Sequence, residues 1–422
     1  MKCLWLTRKY PRPTNSGELI YSNGLIRSFA AQPVDLTVIA HDNDEVPVGN
    51  GSTNSQYKDQ DGVEWLLGTP RLGSRLGSLV SRFPSDTWRL KNGGPEALLD
   101  QALDQRKWDA VIIDHAAIGW ALGPLMKLRM SAGEESPRLV YVSHNHEAKV
   151  RREVANNSTA GYPKKMLLKH DAEKYAHLED ELCRHVDLVT AITRTEVDAY
   201  RANFPNQKYL CLTPGYEGPI HTGRSIDEKT PRRLVMSGSF EWIAKRINLE
   251  IFLEKAAAKL ADADIELQIV GKTDEEFRLA MKRRFPDVDF VGRVPEMEPY
   301  LLNSRMGLIV EEFGGGFKLK QLEYVFHGLP IAGLTCAVDG LPLSSPEQIL
   351  LESTTEELMV SVIKTIDDLG RLNQMSQDSL QICQEEFRWA DRGKRLFESL
   401  SDLRSFGKEK ESSTPTAVES LS

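Results

Sequence analysis

Residues 314–323, which read GGGFKLKQLE, place three consecutive glycines, two lysines and a carboxylate at the start of one predicted helix. The apolar residues 306–310 before this stretch predict a buried strand, and apolar positions recur behind it with helical spacing as far as Phe326. The helix should end at Gly328, with Pro330 just beyond it. Glycine amides, a helix N-terminus and lysine side chains all favour an anion, so this strand–loop–helix unit predicts a diphosphate site.

Short apolar segments alternate with longer amphipathic segments along the chain, which is the pattern of doubly wound parallel sheets. At 422 residues the chain is too long for one core. The turn-rich residues 213–219, TPGYEGP, divide it, because neither a strand period nor a helix period continues through them. We therefore predict an α/β protein with two Rossmann-like, parallel-sheet domains that face each other across a cleft.

The expected domain boundaries follow from this division. An N-terminal α/β domain is placed at residues 1–213 and a C-terminal α/β domain at residues 214–386. Residues 387–405 are predicted to form a helix that returns to the first domain. Residues 406–422 are polar and aperiodic, which predicts a disordered tail.

Composition limits the possible partners and the compartment. The net charge of −8 argues against general nucleic-acid binding, and no nucleic-acid partner is expected. Five scattered cysteines show no paired metal-ligand spacing and mostly lie in apolar runs, which indicates reduced core residues. The first apolar run is too short for a signal peptide, and no apolar stretch is long enough to cross a membrane. These features predict a cytoplasmic protein.

Two basic segments in the first half mix lysine and arginine with aromatic residues. They cover residues 71–91, which include Phe83 and Trp88, and residues 149–169. Such segments suit an anionic membrane surface or a lipid-diphosphate acceptor, so we expect peripheral contact with the inner face of the membrane. A solvated basic surface accounts for them equally well.

The two domains, the glycine-rich loop and the returning helix together resemble the GT-B glycosyltransferases, and family 4 in particular. The resemblance covers nearly the whole chain, and it implies that residues 1–213 form the acceptor side and residues 214–386 bind the nucleotide sugar. It implies transfer of a hexose-type sugar from a nucleoside-diphosphate sugar, most readily a UDP or GDP sugar, to a glycan or lipid-linked acceptor in polysaccharide or glycoconjugate biosynthesis. It also implies retention of anomeric configuration, without a metal ion or another cofactor.

In the first domain the resemblance involves one loop and one histidine. Gly17 matches the family's first loop, which usually carries a pair of glycines, although Ser16 or Thr14 could instead simply cap the following helix. His144 matches the histidine that family members place near the reacting sugar. Whether His144 or His146 faces the cleft depends on the pleat of the preceding strand.

In the second domain the resemblance begins with two strand-end loops. The first contains the residues that would bind the donor diphosphate: Gly238, Ser239, Lys245 and, as second choice to Lys245, Arg246. The second contains Arg293 and Val294, which match residues on the side of the nucleotide base.

The opening stretch completes the resemblance. Its donor-binding candidates are Gly315, Gly316, Phe317, Lys318 and Leu319. Lys320 matches a diphosphate-binding lysine, with Lys318 as the alternate, and Glu323 matches the glutamate that binds ribose hydroxyls. Family members typically have another glutamate eight positions earlier, where this chain has Gly315; Glu311 and Glu312 are the acids that could reach the same space.

Two other functions remain open. A nucleotide-sugar epimerase or hydrolase could use the same fold, and a catalytically silent subunit could use the cleft only to bind nucleotide sugar. A dinucleotide dehydrogenase is disfavoured, because the first strand is not followed by Gly-x-Gly-x-x-Gly.

Overall fold

The computed structural model of the chain describes residues 1–42, 54–69, 74–91, 94–158 and 161–412. Part of the basic segment at residues 71–91 and the end of the predicted tail, residues 413–422, lie outside this range. Within it the chain forms two sheets, each covered by helices.

The N-terminal sheet has eight strands in the order β3-β4-β2-β1-β5-β6-β7-β8, parallel except for the edge pair β3–β4. Its strands are β1 (Lys2–Leu6), β2 (Asp35–His41), β3 (Asn54–Lys58), β4 (Glu64–Gly68), β5 (Ala110–Asp114), β6 (Arg138–Val142), β7 (Leu188–Ala191) and β8 (Tyr209–Cys211). The helices around it are α1 (Gly17–Ala30), α2 (Arg75–Val80), α3 (Ser85–Lys91), α4 (Gly94–Gln105), α5 (Leu122–Ala132), α6 (Glu147–Asn157), α7 (Tyr162–His185) and α8 (Arg194–Asn203).

The C-terminal sheet has six parallel strands in the order β11-β10-β9-β12-β13-β14. Its strands are β9 (Arg233–Ser237), β10 (Glu266–Val270), β11 (Val288–Gly292), β12 (Met306–Ile309), β13 (Ile331–Leu334) and β14 (Leu350–Glu352). The helices that follow from it are α9 (Ile243–Asp262), α10 (Glu275–Arg284), α11 (Glu298–Leu302), α12 (Lys320–Phe326), α13 (Thr355–Thr365), α14 (Leu369–Glu386) and α15 (Trp389–Ser412).

The central strands have the continuous apolar character of parallel strands buried on both faces. Every residue of β5, which reads AVIID, is buried, and β1 pairs in parallel with β5 on one side and β2 on the other. The sequence interpretation did not include β3, β4 or β14. β3 is polar and β14 has just three residues, so neither has a clear apolar strand pattern. β4, which reads EWLLG, does contain a short apolar run, and the sequence interpretation did not use it. The prediction of two doubly wound α/β domains is confirmed.

The C-terminal helix returns to the first domain, as predicted. It packs on α1, where two glycines allow the helices to approach closely: a Cβ on Gly24 would lie 2.3 Å from the Trp389 ring, and one on Gly393 would lie 2.0 Å from the backbone oxygen of Ser28. The Arg392 guanidinium also donates to the carbonyl oxygen of Thr213, at 2.9 Å. These contacts tie the end of the chain to the first domain and to the interdomain linker.

The same helix extends into the segment that the sequence predicts to be a disordered tail. It continues through Ser412 rather than ending at residue 405. Residues 404–412 are rich in lysine and glutamate, which are good helix formers, and the next proline is Pro415. Helix propensity and the helix upstream thus favour continuation to Ser412, and the disordered tail stays a prediction. Among the described residues, no helix is both long and apolar enough to cross a membrane.

Candidate active site

A cavity of about 440 Å³ lies between the two domains, at the carboxyl ends of the central strands. The first domain contributes the loops that follow β1, β5 and β6, and the second contributes those that follow β9 and β12. Ligands of parallel α/β sheets bind at this edge, because the chain leaves each strand there and can present backbone amides and side chains together.

Most of the predicted site residues line this cavity. They are Gly17, His144, Gly238, Ser239, Lys245, Gly315, Phe317, Lys318, Leu319 and Lys320. The remaining candidates do not form its wall: Arg246, Arg293, Val294, Gly316 and Glu323. The structure thus brings together residues from both domains, while the role of each remains a prediction.

A buried carboxylate holds two of the cavity's lysines. Oε1 of Glu311 lies 2.9 Å from Nζ of Lys245 and 2.9 Å from Nζ of Lys320. Burial by itself would raise the pKa of Glu311, but the ammonium groups of Lys245, Lys320 and Lys318 outweigh it and hold the pKa well below its usual range. The second carboxylate oxygen of Glu311 is buried without a hydrogen-bond partner. The cavity therefore contains a compact, charged cluster whose two cations share one anion.

Glu312, the neighbouring acid, is directed elsewhere. Its carboxylate pairs with Lys255 at 2.7 Å, and both side chains are about one-third exposed. Of the two acids that sequence offered near the glycine-rich loop, only Glu311 lines the cavity. Glu311 and Glu312 differ in this way because adjacent side chains of an extended chain, such as the one that follows β12, point to opposite sides.

The adjacent cations Lys245 and Arg246 also separate. Lys245 lines the cavity, whereas the Arg246 guanidinium forms an ion pair with Asp274 and lies 4.9 Å from the centre of the Phe277 ring. Its Nε donates to the backbone oxygen of Phe240, at 2.7 Å. Arg246 therefore holds the start of α9 against α10.

Lys318 is turned back onto the glycine-rich loop. Its ammonium donates to the backbone oxygens of Gly314, Gly315 and Gly316 at 3.0, 2.8 and 3.2 Å. Burial, with a further contribution from Lys245, lowers the pKa of Lys318 to about 8. These three hydrogen bonds, which the glycine carbonyl oxygens accept from Lys318, hold the loop in its conformation. Lys318 therefore affects the cavity through the loop backbone that it organises.

The glycine-rich loop touches the first domain directly. The amide of Gly316 donates to Oε1 of Glu196 at 3.0 Å, and the amide of Gly314 donates to Oε2 of Glu153 at 3.1 Å. Gly316 has a φ of 74°, and a Cβ there would lie 2.4 Å from Oδ1 of Asn145. Only glycine allows this backbone conformation and this approach. Two amides of the predicted diphosphate loop are therefore occupied by carboxylates of the opposite domain.

Glu196 is unusual among these groups. Burial raises the pKa of its carboxyl to about 7, although hydrogen bonds from the amides of His146 and Gly316 act in the opposite direction. Its Oε2 is buried without a hydrogen-bond partner. The contact between the domains thus depends on a carboxyl group that titrates near neutral pH.

His144 faces the cavity and His146 does not. Nε2 of His144 lies 2.6 Å from Oδ1 of Asp114, and the indole of Trp5 donates to the other oxygen at 3.0 Å. Burial alone would lower the pKa of His144, but the Asp114 carboxylate outweighs it and raises the pKa. His146 instead caps α6 and stacks on Tyr200, with ring centres 4.5 Å apart.

The first loop combines the two roles that its sequence allowed. Ser16 caps α1 by accepting a hydrogen bond from the amide of Leu19. Gly17 also lines the cavity, and a Cβ there would lie 3.3 Å from Leu319 of the opposite domain. The loop is thus both a helix start and a wall of the cleft.

Glu323 lies in the first turn of α12 and is mostly buried. Burial raises the pKa of its carboxyl, and the carboxylate makes no hydrogen bond or ion pair with any described residue. A partly buried carboxylate that no described residue engages is suited to a ligand that supplies hydroxyl donors.

The sequence interpretation missed Asp114 and Glu196. Asp114 is the last residue of β5 and is followed by His115, so an acid at a strand end was an available signal. Glu196 lies in the first turn of α8, where acids are common because of the helix dipole. Nothing local distinguished it from an ordinary N-terminal glutamate.

Comparison with known proteins agrees with this architecture. Residues 231–368 match the family model described as "Glycosyl transferases group 1", and no curated protein sequence matches the chain. The second domain, which contains the lysine cluster and α12, is therefore the part with a recognised sequence pattern.

Solved structures match over nearly the whole chain. HepE from Anabaena, in complex with UDP and glucose, is 12% identical and has a TM-score of 0.61, with 95% of this chain and 100% of HepE covered. The catalytic domain of starch synthase IV from Arabidopsis thaliana, bound to ADP and acarbose, gives 11% identity, a TM-score of 0.65, and coverage of 95% and 98%. WaaG, a glycosyltransferase involved in lipopolysaccharide biosynthesis, is 13% identical and has a TM-score of 0.64, with 94% of this chain and 99% of WaaG covered. The chain therefore has the two-domain GT-B glycosyltransferase fold, with a second domain that matches the group 1 glycosyl transferases.

Proposed function

We propose that this protein transfers a sugar from a nucleoside-diphosphate sugar, held by the second domain, to an acceptor held by the first. The observation that carries the proposal is the Glu311 cluster, in which Lys245 and Lys320 share one buried carboxylate inside the interdomain cavity. A diphosphate would supply further negative charge to these two cations.

The lysines would act on the leaving group. The slow step in sugar transfer is departure of the diphosphate as positive charge develops on the sugar, and cations placed in advance stabilise that departure. Lys245 and Lys320 supply the charge, and the N-terminus of α12 lies at Lys320. Because these groups can neutralise the diphosphate, we propose a reaction without a metal ion, with retention of configuration as in family 4.

The remaining candidates would position the substrates. His144, oriented by Asp114, would bind a hydroxyl of the transferred sugar, and Glu323 would accept hydrogen bonds from the ribose. Arg293 and Val294 follow the edge strand β11, and we place them beside the nucleotide base. UDP and GDP sugars are the donors that we propose to test first; HepE was solved with UDP.

For the acceptor we propose a glycan or a lipid-linked saccharide in polysaccharide or glycoconjugate biosynthesis, reached at the inner face of the membrane. Exposed apolar residues of α2 and of the start of α7 support this, with Val80 91% and Tyr162 78% exposed. The two helices are adjacent, since Lys174 donates to the backbone oxygen of Ser78. Lys164 lies in the same turn of α7 as Tyr162, and Lys169 lies two turns later, so the start of this helix combines apolar and basic groups.

Vesicle sedimentation tests the membrane part. Val80→Ser should weaken binding to vesicles that contain anionic lipid, whereas Met130→Ser, which alters an 84% exposed residue of α5, should not. Equal binding by both variants and the original chain would exclude α2 as the contact.

Two measurements test the transferase itself. Thermal unfolding with UDP, GDP, ADP, TDP and CMP should show stabilisation by one nucleoside diphosphate, by about 2.7 kcal/mol at a hundredfold excess over its dissociation constant. Lys320→Ala and Glu323→Ala should each reduce turnover at least about a hundredfold, roughly 2.7 kcal/mol of barrier. Lys272→Ala is the matched control, because Lys272 pairs with Glu241 on the surface.

The outcomes separate the alternatives. Unchanged kinetics in both Lys320→Ala and Glu323→Ala would refute the proposed site. Nucleotide binding without turnover of any donor would support a silent binding subunit, and sugar release without an acceptor would support a hydrolase.

A further inference from the structure

Three potential metal ligands meet away from the interdomain cavity, at the far end of α12. His221 belongs to the linker between the domains, Glu298 is the first residue of α11, and His327 follows the last residue of α12. One ligand atom from each lies within 4.8 Å of the others. These three residues, which we call the His–Glu cluster, come from three separate elements and play no part in the proposed transfer reaction.

Each histidine of the cluster keeps one nitrogen free. Nδ1 of His327 lies 2.8 Å from the backbone oxygen of Glu323, so this nitrogen carries the proton and Nε2 retains its lone pair. Nε2 of His221 is buried without a hydrogen-bond partner and lies 3.5 Å from a carboxylate oxygen of Glu298. A buried polar atom without a partner is unfavourable, and a cation between these groups would remove the penalty.

We propose that the His–Glu cluster binds a divalent transition-metal ion of the zinc type. Two imidazole nitrogens and one carboxylate are ordinary zinc ligands, and water would take the fourth position. Zinc–ligand distances of about 2.0–2.2 Å require ligand atoms roughly 3.3 Å apart, so atoms that now lie within 4.8 Å must approach by up to about 1.5 Å. The imidazoles of His221 and His327 are stacked with ring centres 4.8 Å apart, so binding also requires the rings to rotate until their free nitrogens face the ion. The hydrogen bond from His327 to Glu323 is the outer contact that fixes a metal-binding tautomer.

One nearby cation sets the expected strength. Arg224 donates to the backbone oxygens of His327, Leu302 and Ser304, so its guanidinium lies beside the His–Glu cluster. Its charge acts against a bound cation, and we therefore expect micromolar rather than nanomolar affinity. The same hydrogen bonds hold the backbone of the cluster in place before a metal arrives.

Metal binding would fasten the linker to the second domain. The amide of His221 already donates to the backbone oxygen of Phe326, at 2.8 Å. A metal would add side-chain links from the linker to α11 and to the end of α12, and α12 begins with Lys320. The site would thus stabilise the helix that carries the proposed diphosphate and ribose ligands, without itself touching the substrates.

Cobalt spectroscopy tests the site directly. Untagged protein, stripped of metal and titrated with Co²⁺, should develop the visible absorption of a tetrahedral or five-coordinate site at one equivalent, and Zn²⁺ should abolish it. His221→Ala and Glu298→Gln should each weaken binding at least about tenfold. His185→Ala is the matched control, because His185 lies 3.9 Å from Glu181 and should bind as the original chain does.

A second measurement keeps the result independent of folding and of the transfer reaction. Urea unfolding of metal-free His221→Ala and Glu298→Gln should give a single cooperative transition like that of the metal-free original chain, which would show that both variants remain folded. Absence of the cobalt spectrum at micromolar protein, or equal affinity in the two variants and the His185→Ala control, would overturn the proposal whatever the outcome of the transferase assays.

Discussion

Glu311→Gln should separate the electrostatic role of the lysine cluster from its shape. The amide has nearly the same size as the carboxylate, but it leaves Lys245 and Lys320 without their shared anion. At an effective dielectric constant of about 20, each 2.9 Å contact contributes roughly 6 kcal/mol of attraction. Desolvation of the carboxylate and repulsion between the lysines offset much of this. The net loss of unfolding free energy should be about 3–5 kcal/mol, as for other broken buried pairs.

Urea unfolding measures this loss, and Glu312→Gln is the matched control. Glu312 is the next residue, and its pair with Lys255 is about one-third exposed, so its loss should cost less than about 1 kcal/mol. UDP should stabilise Glu311→Gln more than it stabilises the original chain, because Lys245 and Lys320 are no longer partly neutralised by the carboxylate of Glu311. Equal destabilisation by the two substitutions, or no loss in Glu311→Gln, would refute the reasoning.

The pH dependence gives the same prediction a second form. The folded pKa of Glu311 is well below its usual value of 4.5, so its contribution to stability is fully present above that value and is lost as the pH falls through the folded pKa. The stability difference between the original chain and Glu311→Gln should therefore be constant near neutrality and shrink in acid. A difference that grows below pH 4.5 would contradict this assignment.

Three further substitutions test other contacts. Asp114→Asn should lower the pKa of His144, because the carboxylate that raises it is removed. An NMR titration of the imidazole measures this pKa, and an unchanged pKa would contradict the assignment. Because the folded pKa of Glu196 is about 7, the free energy of unfolding should fall by roughly 3 kcal/mol as the pH rises from about 4.5 to 7. Glu196→Gln should remove this fall, and an unaltered slope in the variant would argue against the assignment. Gly24→Ala puts a Cβ 2.3 Å from the indole at the start of α15 and should cost about 1–3 kcal/mol in urea unfolding, whereas Gly123→Ala, with no atom within 4 Å, should cost nothing.

The sequence was sufficient for the architecture because the relevant signals are local. Continuous apolar runs such as β5 and β12 predict buried parallel strands from a few residues each. The turn at residues 213–219 marks the change of domain, and three glycines before a helix predict an anion-binding loop. The sequence interpretation missed the edge strands β3 and β14, because an edge strand depends on pairing with its neighbour more than on its own composition.

The chemistry within the cleft was only partly accessible from sequence. Spacing placed Lys245 and Lys320 in the second domain, but it could not show that both contact Glu311. Adjacent residues offered no means of choosing between Lys245 and Arg246, since the direction of a side chain at a helix start depends on how the helix is packed.

What the sequence determined by itself is therefore the alternation of the buried strands with helices, the position of the linker and the residue types available at the ends of those strands. Tertiary structure alone decided that Asp114 would orient His144, thirty residues later along the chain, and that Glu196 would accept the amide of Gly316, 120 residues away. The physical reason is range: periodicity and turn chemistry act over a few residues, whereas burial, pKa and ion pairing depend on groups that only the packed sheets bring together.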